Sequence, residues 1–313
     1  MINKENIRLV FMGTPQISAD TLEGLIEDGY NVVGIVSQPD RPVGRKAILE
    51  KTPTKLIGEK YNIPVFQPVR IRNEYEFLLE LKPDIIITLA YGQIVPQAVL
   101  DIPKYGCLNL HGSLLPKYRG ASPVQTALFD NETVTGVTLM EMTAKMDAGK
   151  MYAKEEVKID EDDNFTSLFS KIGDAAKRLI IRELPNYLSG NIVGIEQNEE
   201  EVTFTKIIKP EDEKINLEFS KETIIGLIKG LSDEPGAYLL LNNEKFKIYK
   251  AKIHSDNVVG EVGQILTADK TGLLLQCSNG IIALLEVQKQ GKKKMDYRSF
   301  INGNQNIKGV ILK

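Results

Sequence analysis

The sequence predicts an α/β chain in two parts, a doubly wound and mostly parallel sheet followed by a small C-terminal β-barrel, and three observations lead to that class. At 313 residues the chain exceeds the usual size of one hydrophobic core, so two apolar cores are expected. Residues 7–188 alternate short β-branched runs with helical periodicity, the pattern of strands joined by crossover helices. After about residue 206 the texture changes to one helix and several short strands broken by Gly and Asn turns, which suits a barrel.

The elements follow in order. Ile7-Arg8-Leu9-Val10-Phe11-Met12 reads as a buried strand, Gly13-Thr14-Pro15 as a turn, and 17–26 as an amphipathic helix with proline near its start. The turn lacks the second and third glycines of G-x-G-x-x-G, so a dinucleotide-binding reading is rejected and the turn is taken as structural. Further strands are expected at 30–37, 64–66, 85–90, 107–110 and 134–142, and helices at 54–61 and 73–81. A long helix over 165–188 closes a first domain spanning 1–190, and the acidic stretch 196–201 falls in a linker over 191–206. The second domain, 207–313, holds a helix at 221–231 and strands at 237–241, 245–253, 263–267, 272–277 and 281–287. An oligonucleotide-binding type of barrel is one form that fits this pattern.

Composition narrows the function classes. Hydrophobic residues make up 42% and charged residues 26%, ordinary globular usage, and no apolar run approaches the roughly 18 residues of a membrane span. The N-terminus, Met1-Ile2-Asn3-Lys4-Glu5-Asn6, runs into a strand without a signal-peptide pattern, so a soluble cytoplasmic protein is expected, with a monomer as the default. Cys107 and Cys277 lie far apart and outside any metal-ligand spacing, which predicts buried thiols, no disulfide and no metal. The net charge of −3 is uneven: residues 1–205 hold 22 Lys+Arg against 29 Asp+Glu, and residues 206–313 hold 17 against 13. A basic module on an acidic body fits a polyanionic partner, although such a small excess is commonly just a solvated face.

Ligands of open α/β sheets bind beyond the carboxyl ends of the strands. There, Cys107-Leu108-Asn109-Leu110-His111-Gly112 ends a strand with Asn109 and His111 on one side of the chain. An isolated histidine is more often a buried loop cap than a functional group. Asp147, in the loop after the 134–142 strand, is placed to approach a neighbouring strand end. The trio Asn109, His111 and Asp147 suits acyl or formyl transfer to an amine: Asn109 and a protonated His111 would donate to the developing oxyanion, and Asp147 would orient the imidazole. The amine is the nucleophile, so Ser113 is read as shaping the loop.

At these residues the chain resembles the methionyl-tRNA formyltransferase family of folate-dependent formyltransferases. The resemblance rests on Gly13-Thr14-Pro15, Ser37-Gln38-Pro39-Asp40-Arg41-Pro42-Val43-Gly44-Arg45, Ala90-Tyr91-Gly92-Gln93-Ile94-Val95-Pro96, Asn109-Leu110-His111-Gly112-Ser113-Leu114-Leu115-Pro116-Lys117-Tyr118-Arg119-Gly120-Ala121-Ser122-Pro123 and Met146-Asp147-Ala148-Gly149. It implies a formyltransferase-type first domain with Asn109, His111 and Asp147 catalytic. It also implies a 10-formyltetrahydrofolate cosubstrate held by Ser113, Leu114, Leu115 and Pro116, by backbone at Gln93, Ile94 and Val95, and by Thr143 onward. The partner it implies is initiator methionyl-tRNA, contacted by an oligonucleotide-binding type of C-terminal barrel. Arg41, Arg45 and Lys46 in an insertion over 41–51, and Lys292, Lys293 and Lys294 in the barrel, would meet phosphates. The insertion reads Arg45-Lys46-Ala47-Ile48 where relatives tend to show Arg-Gly-Lys-Lys, and the chain contains no tryptophan. Formyltransferases of UDP-linked amino sugars and 10-formyltetrahydrofolate hydrolases resemble parts of the same loop, and a non-catalytic RNA- or folate-binding protein is a further alternative.

Overall fold

In the computed structural model, which describes residues 3–43 and 48–313, strand β1 (Arg8–Gly13) is buried at every residue after Arg8. A strand so enclosed needs neighbours on both edges, and it has them: β2 (Asn31–Val36) on one side and β6 (Ile85–Leu89) on the other, both parallel. Helix α1 (Gln16–Glu27) connects β1 to β2. An antiparallel ribbon of β3 (Arg41–Val43) and β4 (Ile48–Glu50) follows, then α2 (Pro53–Tyr61), β5 (Val65–Phe66) beside β2, and α3 (Glu76–Leu81). After α4 (Gln97–Leu100), strand β7 (Cys107–His111) lies parallel to β6, whereas β8 (Val134–Glu141) and β9 (Met151–Lys158) run antiparallel. The order is β5-β2-β1-β6-β7-β8-β9, a mostly parallel sheet whose direction of winding switches between β1 and β6.

Gly13 shows why the first turn has no side chain. A Cβ there would lie 2.7 Å from both the Leu89 carbonyl oxygen and the Ser18 Cβ, and Ser18 Oγ donates to that carbonyl at 2.7 Å. The glycine lets helix and strand approach, as the structural reading of this turn expected.

Strand β9 was not foreseen. Its sequence, Met-Tyr-Ala-Lys-Glu-Glu-Val-Lys, is polar and mostly unburied, because an edge strand exposes unpaired backbone groups that charged side chains protect from further pairing. Helix α5 (Pro123–Phe129), starting on Ser122 with proline in its first turn, was also unassigned.

Two compact units result: Met1–Gly120, Val134–Lys158 and Phe169–Thr205 form the first, and Ala121–Thr133, Ile159–Leu168 and Lys206–Lys313 the second. This differs from one cut near residue 190. In the second unit, α5 packs on α7 (Lys221–Gly230) at Gly226 and Gly230, one turn apart. A Cβ on Gly226 would meet the Leu128 and Phe129 carbonyls at 2.7 Å, and one on Gly230 the Phe129 ring at 2.4 Å. Residues 191–206, expected as a linker, bond within the first unit: Ile195 and Met151 exchange two backbone hydrogen bonds of 2.8 Å. The long helix α6 (Phe165–Leu188) is as expected.

The second unit carries an antiparallel sheet of β10 (Ala237–Leu241), β11 (Glu244–Ser255), β12 (Ile265–Asp269), β13 (Gly272–Cys277) and β14 (Gly280–Lys289), in the order β10-β11-β14-β13-β12. The short β15 (Met295–Asp296) pairs with β14 and leads into α8 (Tyr297–Asn302). The chain's last residues close the sheet. Leu240 and Lys313 exchange backbone bonds of 2.6 and 3.0 Å, while Ile265 N–H donates to Val310 and Leu312 N–H to Gly263, each at 2.8 Å. One terminal segment thus bonds both edge strands, and the interior fills with Leu239, Phe246, Ile248, Leu275 and Ile282. Phe300 of α8 lies against Phe246, with ring centroids 5.2 Å apart. Among the described residues, no helix is long and apolar enough to cross a membrane.

Candidate active site

Strand β7 places Asn109 opposite Thr88 of β6 and Met140 of β8, and His111 opposite Thr138. The two-residue repeat puts both side chains on one face. The loop that follows is tied down by the Thr138 hydroxyl, which donates to the Ser113 carbonyl at 2.7 Å and accepts from Leu115 N–H at 3.1 Å. Ser113 Oγ donates to the Lys117 carbonyl at 2.6 Å, so this serine shapes the loop, as expected. Lys154 donates to the Leu115 carbonyl.

His111 is buried. Its Nε2 lies 2.8 Å from the Tyr118 carbonyl oxygen and therefore carries a hydrogen in this contact. Its Nδ1 lies 3.7 Å from Asp147 Oδ1, so the imidazole is flanked by two acceptors. The other Asp147 oxygen accepts from Gly120 N–H at 2.8 Å. Asp147 sits in the left-handed region, φ 49°, which Asp adopts more readily than most residues. Because β8 runs antiparallel, its last residue, Glu141, pairs with Leu108, well before His111, and the β8–β9 connection must double back to bring Asp147 to the imidazole. Gly149 permits that path, since a Cβ there would lie 2.0 Å from the Glu141 carbonyl oxygen.

The structure thus brings His111 and Asp147 together, with Asn109 two residues before the imidazole. Among the described residues, the Asn109 carboxamide has no hydrogen-bond partner, and its neighbour Thr88 has a buried hydroxyl that is likewise unpaired. Hydrogen-bonding capacity is left over on this face of the strand end.

The remaining expected residues fall in three settings. Gln93 is occupied within the protein, accepting from Ile71 N–H at 2.8 Å and donating to the Pro68 carbonyl at 3.1 Å. Ile94 is exposed and Val95 buried, and neither uses its backbone groups in a hydrogen bond to another described residue. Thr143 is exposed, with its hydroxyl on the Lys145 carbonyl at 2.9 Å. Of the basic residues, Arg41 is exposed on β3, and Arg45 and Lys46 lie outside the described residues. Lys292 and Lys293 are exposed without an acidic partner among the described residues. Lys294 differs, because its ammonium lies 2.8 Å from Asp233 and 3.4 Å from Glu286, and Asp233 raises its pKa.

Both cysteines are free and buried. Burial pushes the Cys107 thiol up to about 12 and the Cys277 thiol up to about 11, which makes thiolate chemistry unavailable at neutral pH. Among the described residues, no group of three or more His, Cys, Asp or Glu is placed to hold a metal ion.

Sequence reasoning missed the residues that frame the pair. Gly120 holds Asp147 directly, Thr138 ties the loop after His111, and Gln197, in the expected linker, donates to the carbonyls of Asp147 and Gly149 at 2.8 and 2.9 Å. Tyr118, Arg119 and Gly120 fell inside a quoted motif without a role. No periodicity marks Gln197, so nothing in the chain alone pointed to it.

Residues 6–184 match the family model for formyl transferases, and residues 207–305 that for the formyl transferase C-terminal domain. A methionyl-tRNA formyltransferase of Lactobacillus acidophilus is 40% identical over 297 residues, covering 94% of this chain and 95% of that protein. One from Bacillus cereus is 43% identical over 302 residues, covering 96% of each. Among solved structures, an N-formyltransferase from Helicobacter canadensis in complex with folinic acid and dTDP-3-aminofucose superposes with a TM-score of 0.70 at 20% identity, over 90% of this chain and 99% of that one. The methionyl-tRNA formyltransferase from Clostridium thermocellum gives 0.55 at 17% identity, over 82% of this chain and 97% of that one. These two likenesses speak for the fold; the two family matches and the sequence relatives together show that the chain belongs to the methionyl-tRNA formyltransferase family.

Proposed function

We propose that this protein transfers the formyl group of 10-formyltetrahydrofolate to the α-amino group of methionine on initiator methionyl-tRNA, giving N-formylmethionyl-tRNA for translation initiation. It does so as a monomer in the cytoplasm. The observation that carries this reading is the His111–Asp147 pair beside a carboxamide, Asn109, whose donors are unspent among the described residues. The names of the relatives supply the substrates.

The bound donor supplies an N-formyl carbonyl as electrophile. Asn109 Nδ2 donates to the carbonyl oxygen as the amine nitrogen bonds to the formyl carbon and the π electron pair moves onto that oxygen. Donors placed where charge develops act most strongly away from water. The amine loses a proton and the departing folate nitrogen gains one, so the reaction balances without a metal or an oxidant. Both nitrogens of His111 face protein acceptors before substrate arrives. The imidazole therefore reaches the reacting atoms by releasing the Tyr118 carbonyl, a contact that a substrate donor or oxyanion replaces. Asp147 holds the ring while this happens.

Backbone groups of Ile94 and Val95 and the Ser113–Pro116 turn hold the folate, which fits backbone groups at 94 and 95 that bond no other described residue. Residues 1–190 act as the catalytic domain, 191–206 connect it onward, and 207–313 contact the tRNA. Arg41, Arg45 and Lys46 meet the acceptor end, and Lys292 and Lys293 the phosphates. Lys294, already held by two carboxylates, contributes less to that charge than its neighbours.

The test is a labelled-formyl assay with aminoacylated initiator tRNA, elongator tRNA and nucleotide-linked amino sugars side by side. Label on initiator methionyl-tRNA is expected. Label on the sugar alone would overturn the assignment.

A further inference from the structure

Three consecutive residues hold both members of the His–Asp pair. The Tyr118 carbonyl takes His111 Nε2 at 2.8 Å, and Gly120 N–H takes Asp147 Oδ2 at 2.8 Å. Between them Arg119 is completely buried, an expensive place for a guanidinium unless it is bonded. Its Nε donates to Gln197 Oε1 and its Nη2 to Glu199 Oε1, both at 2.9 Å; its Nη1 has no partner among the described residues. Gln197 then turns its amide donors onto the carbonyls of Asp147 and Gly149, at 2.8 and 2.9 Å. Residues 203–205 complete the strap: Arg119 N–H donates to the Thr203 carbonyl at 2.9 Å, and Thr205 N–H to the Arg119 carbonyl at 2.7 Å.

We propose that Arg119 and Gln197 are positioning residues, a buried clasp that fixes the strap over 195–205 to the Asp147 loop and so sets the distance between Asp147 and His111. Neither touches substrate. The proposal rests on the function put forward above, and it places a determinant of turnover in a stretch whose sequence looks like a connection. Packing alone would be served by an aliphatic side chain at 119; a guanidinium aimed at an amide that grips the catalytic carboxylate's own backbone is suited to orientation.

Two variants separate positioning from stability. Gln197→Ala removes the whole link, whereas Gln197→Glu keeps an acceptor for Arg119 and loses the two donors to the Asp147 loop. Both are expected to lower kcat about 10–100-fold, with KM for the formyl donor within about twofold of wild type and melting temperature within a few degrees. Glu199→Gln removes the counter-charge of the buried Arg119 but keeps an oxygen to accept from its Nη2 and leaves both Gln197 donors on the Asp147 loop, so it is expected to lower kcat less than either Gln197 variant.

A substrate-free readout accompanies the kinetics. The chain has two histidines, and His254 is exposed on β11, so it serves as an internal reference in long-range ¹H–¹⁵N spectra. The His111 ring signals are expected to move in both Gln197 variants while those of His254 stay fixed. A Gln197→Glu protein with wild-type kcat and unmoved His111 signals would overturn the proposal, as would a kcat loss fully explained by a fall in folded fraction. If the wild-type protein formylates no tRNA, the functional reading fails, while the spectra still decide whether the clasp sets the ring.

Discussion

Two side-chain carboxamides, one in each unit, are used to opposite ends, one fully buried and the other half-buried. In the second unit Gln276 is fully buried; its Oε1 accepts from Val259 and Gly260 N–H at 3.0 and 3.2 Å, and its Nε2 donates to the Cys277 and Gly280 carbonyls at 2.9 Å each. Every site on that carboxamide is spent on backbone, so it fixes a loop and has nothing left for a ligand. At the end of β7, Asn109 carries the same carboxamide with no partner among the described residues, and Thr88 beside it has a spare hydroxyl. Burial of polar groups costs stability unless they are paired. A buried carboxamide bonded at every site is therefore structural, whereas the half-buried one beside the buried, unpaired Thr88 hydroxyl leaves hydrogen-bonding capacity open at the strand's carboxyl end.

The sharpest way to break this comparison is at His111. His111→Ala is expected to lower kcat by roughly 10²–10⁴ while far-ultraviolet circular dichroism stays native; activity close to wild type would remove the site from the account. Asn109→Ala is expected to cost about 10²–10³ in kcat with little loss of stability, because its amide bonds no group among the described residues. If Asn109→Ala instead lowers the melting temperature sharply, the spare carboxamide was structural after all. Asp147→Asn tolerates the left-handed backbone and keeps an oxygen for Gly120 N–H, so the charge and the acceptor that face the imidazole are lost while the loop contact stays; a fall of about 10²-fold in kcat is expected, measured at constant folded fraction.

Gln276→Leu reverses the pattern. Removing the side chain that bonds these backbone groups is expected to cost about 2–3 kcal/mol in denaturant unfolding of the second unit, with formyl transfer at saturating substrate nearly unchanged. The smallest effect belongs to Glu222, whose pKa is held down to about 2, first by the hydrogen bond from Lys221 and then by that from Asn279. A carboxyl depressed on folding contributes stability above its ordinary value of 4.5 that is lost as pH falls through about 2. Lys221 lies 2.8 Å away, but Glu222 is solvent-exposed, so Glu222→Gln is expected to flatten that acid limb by less than about 1 kcal/mol.

The first sheet was legible because its strands, enclosed on both faces, read as runs of Ile, Leu and Val: Ile85–Leu89 is buried throughout. Strand β9 was not, since its polar edge mimics a loop. Asn109 and His111 were legible through the period of two in a strand, and Asp147 through its place after the next strand. What was hidden is that β8 runs antiparallel, so that the Asp147 loop has to double back. The closing role of the last five residues was hidden too, because a strand that pairs only at its ends with distant edges has no local signature.

The chain by itself determined which residues carry donors, acceptors and charge, and the periodicity that sets strand faces, since those are properties of neighbours in sequence. Only the tertiary structure decided which of these groups are already bonded. Gln276 and Asn109 carry the same side-chain amide; the loop at Val259 and Gly260 and the turn after Cys277 fold onto one and saturate it, while among the described residues no group reaches the other, and that difference is set by how the backbone folds back on each side chain.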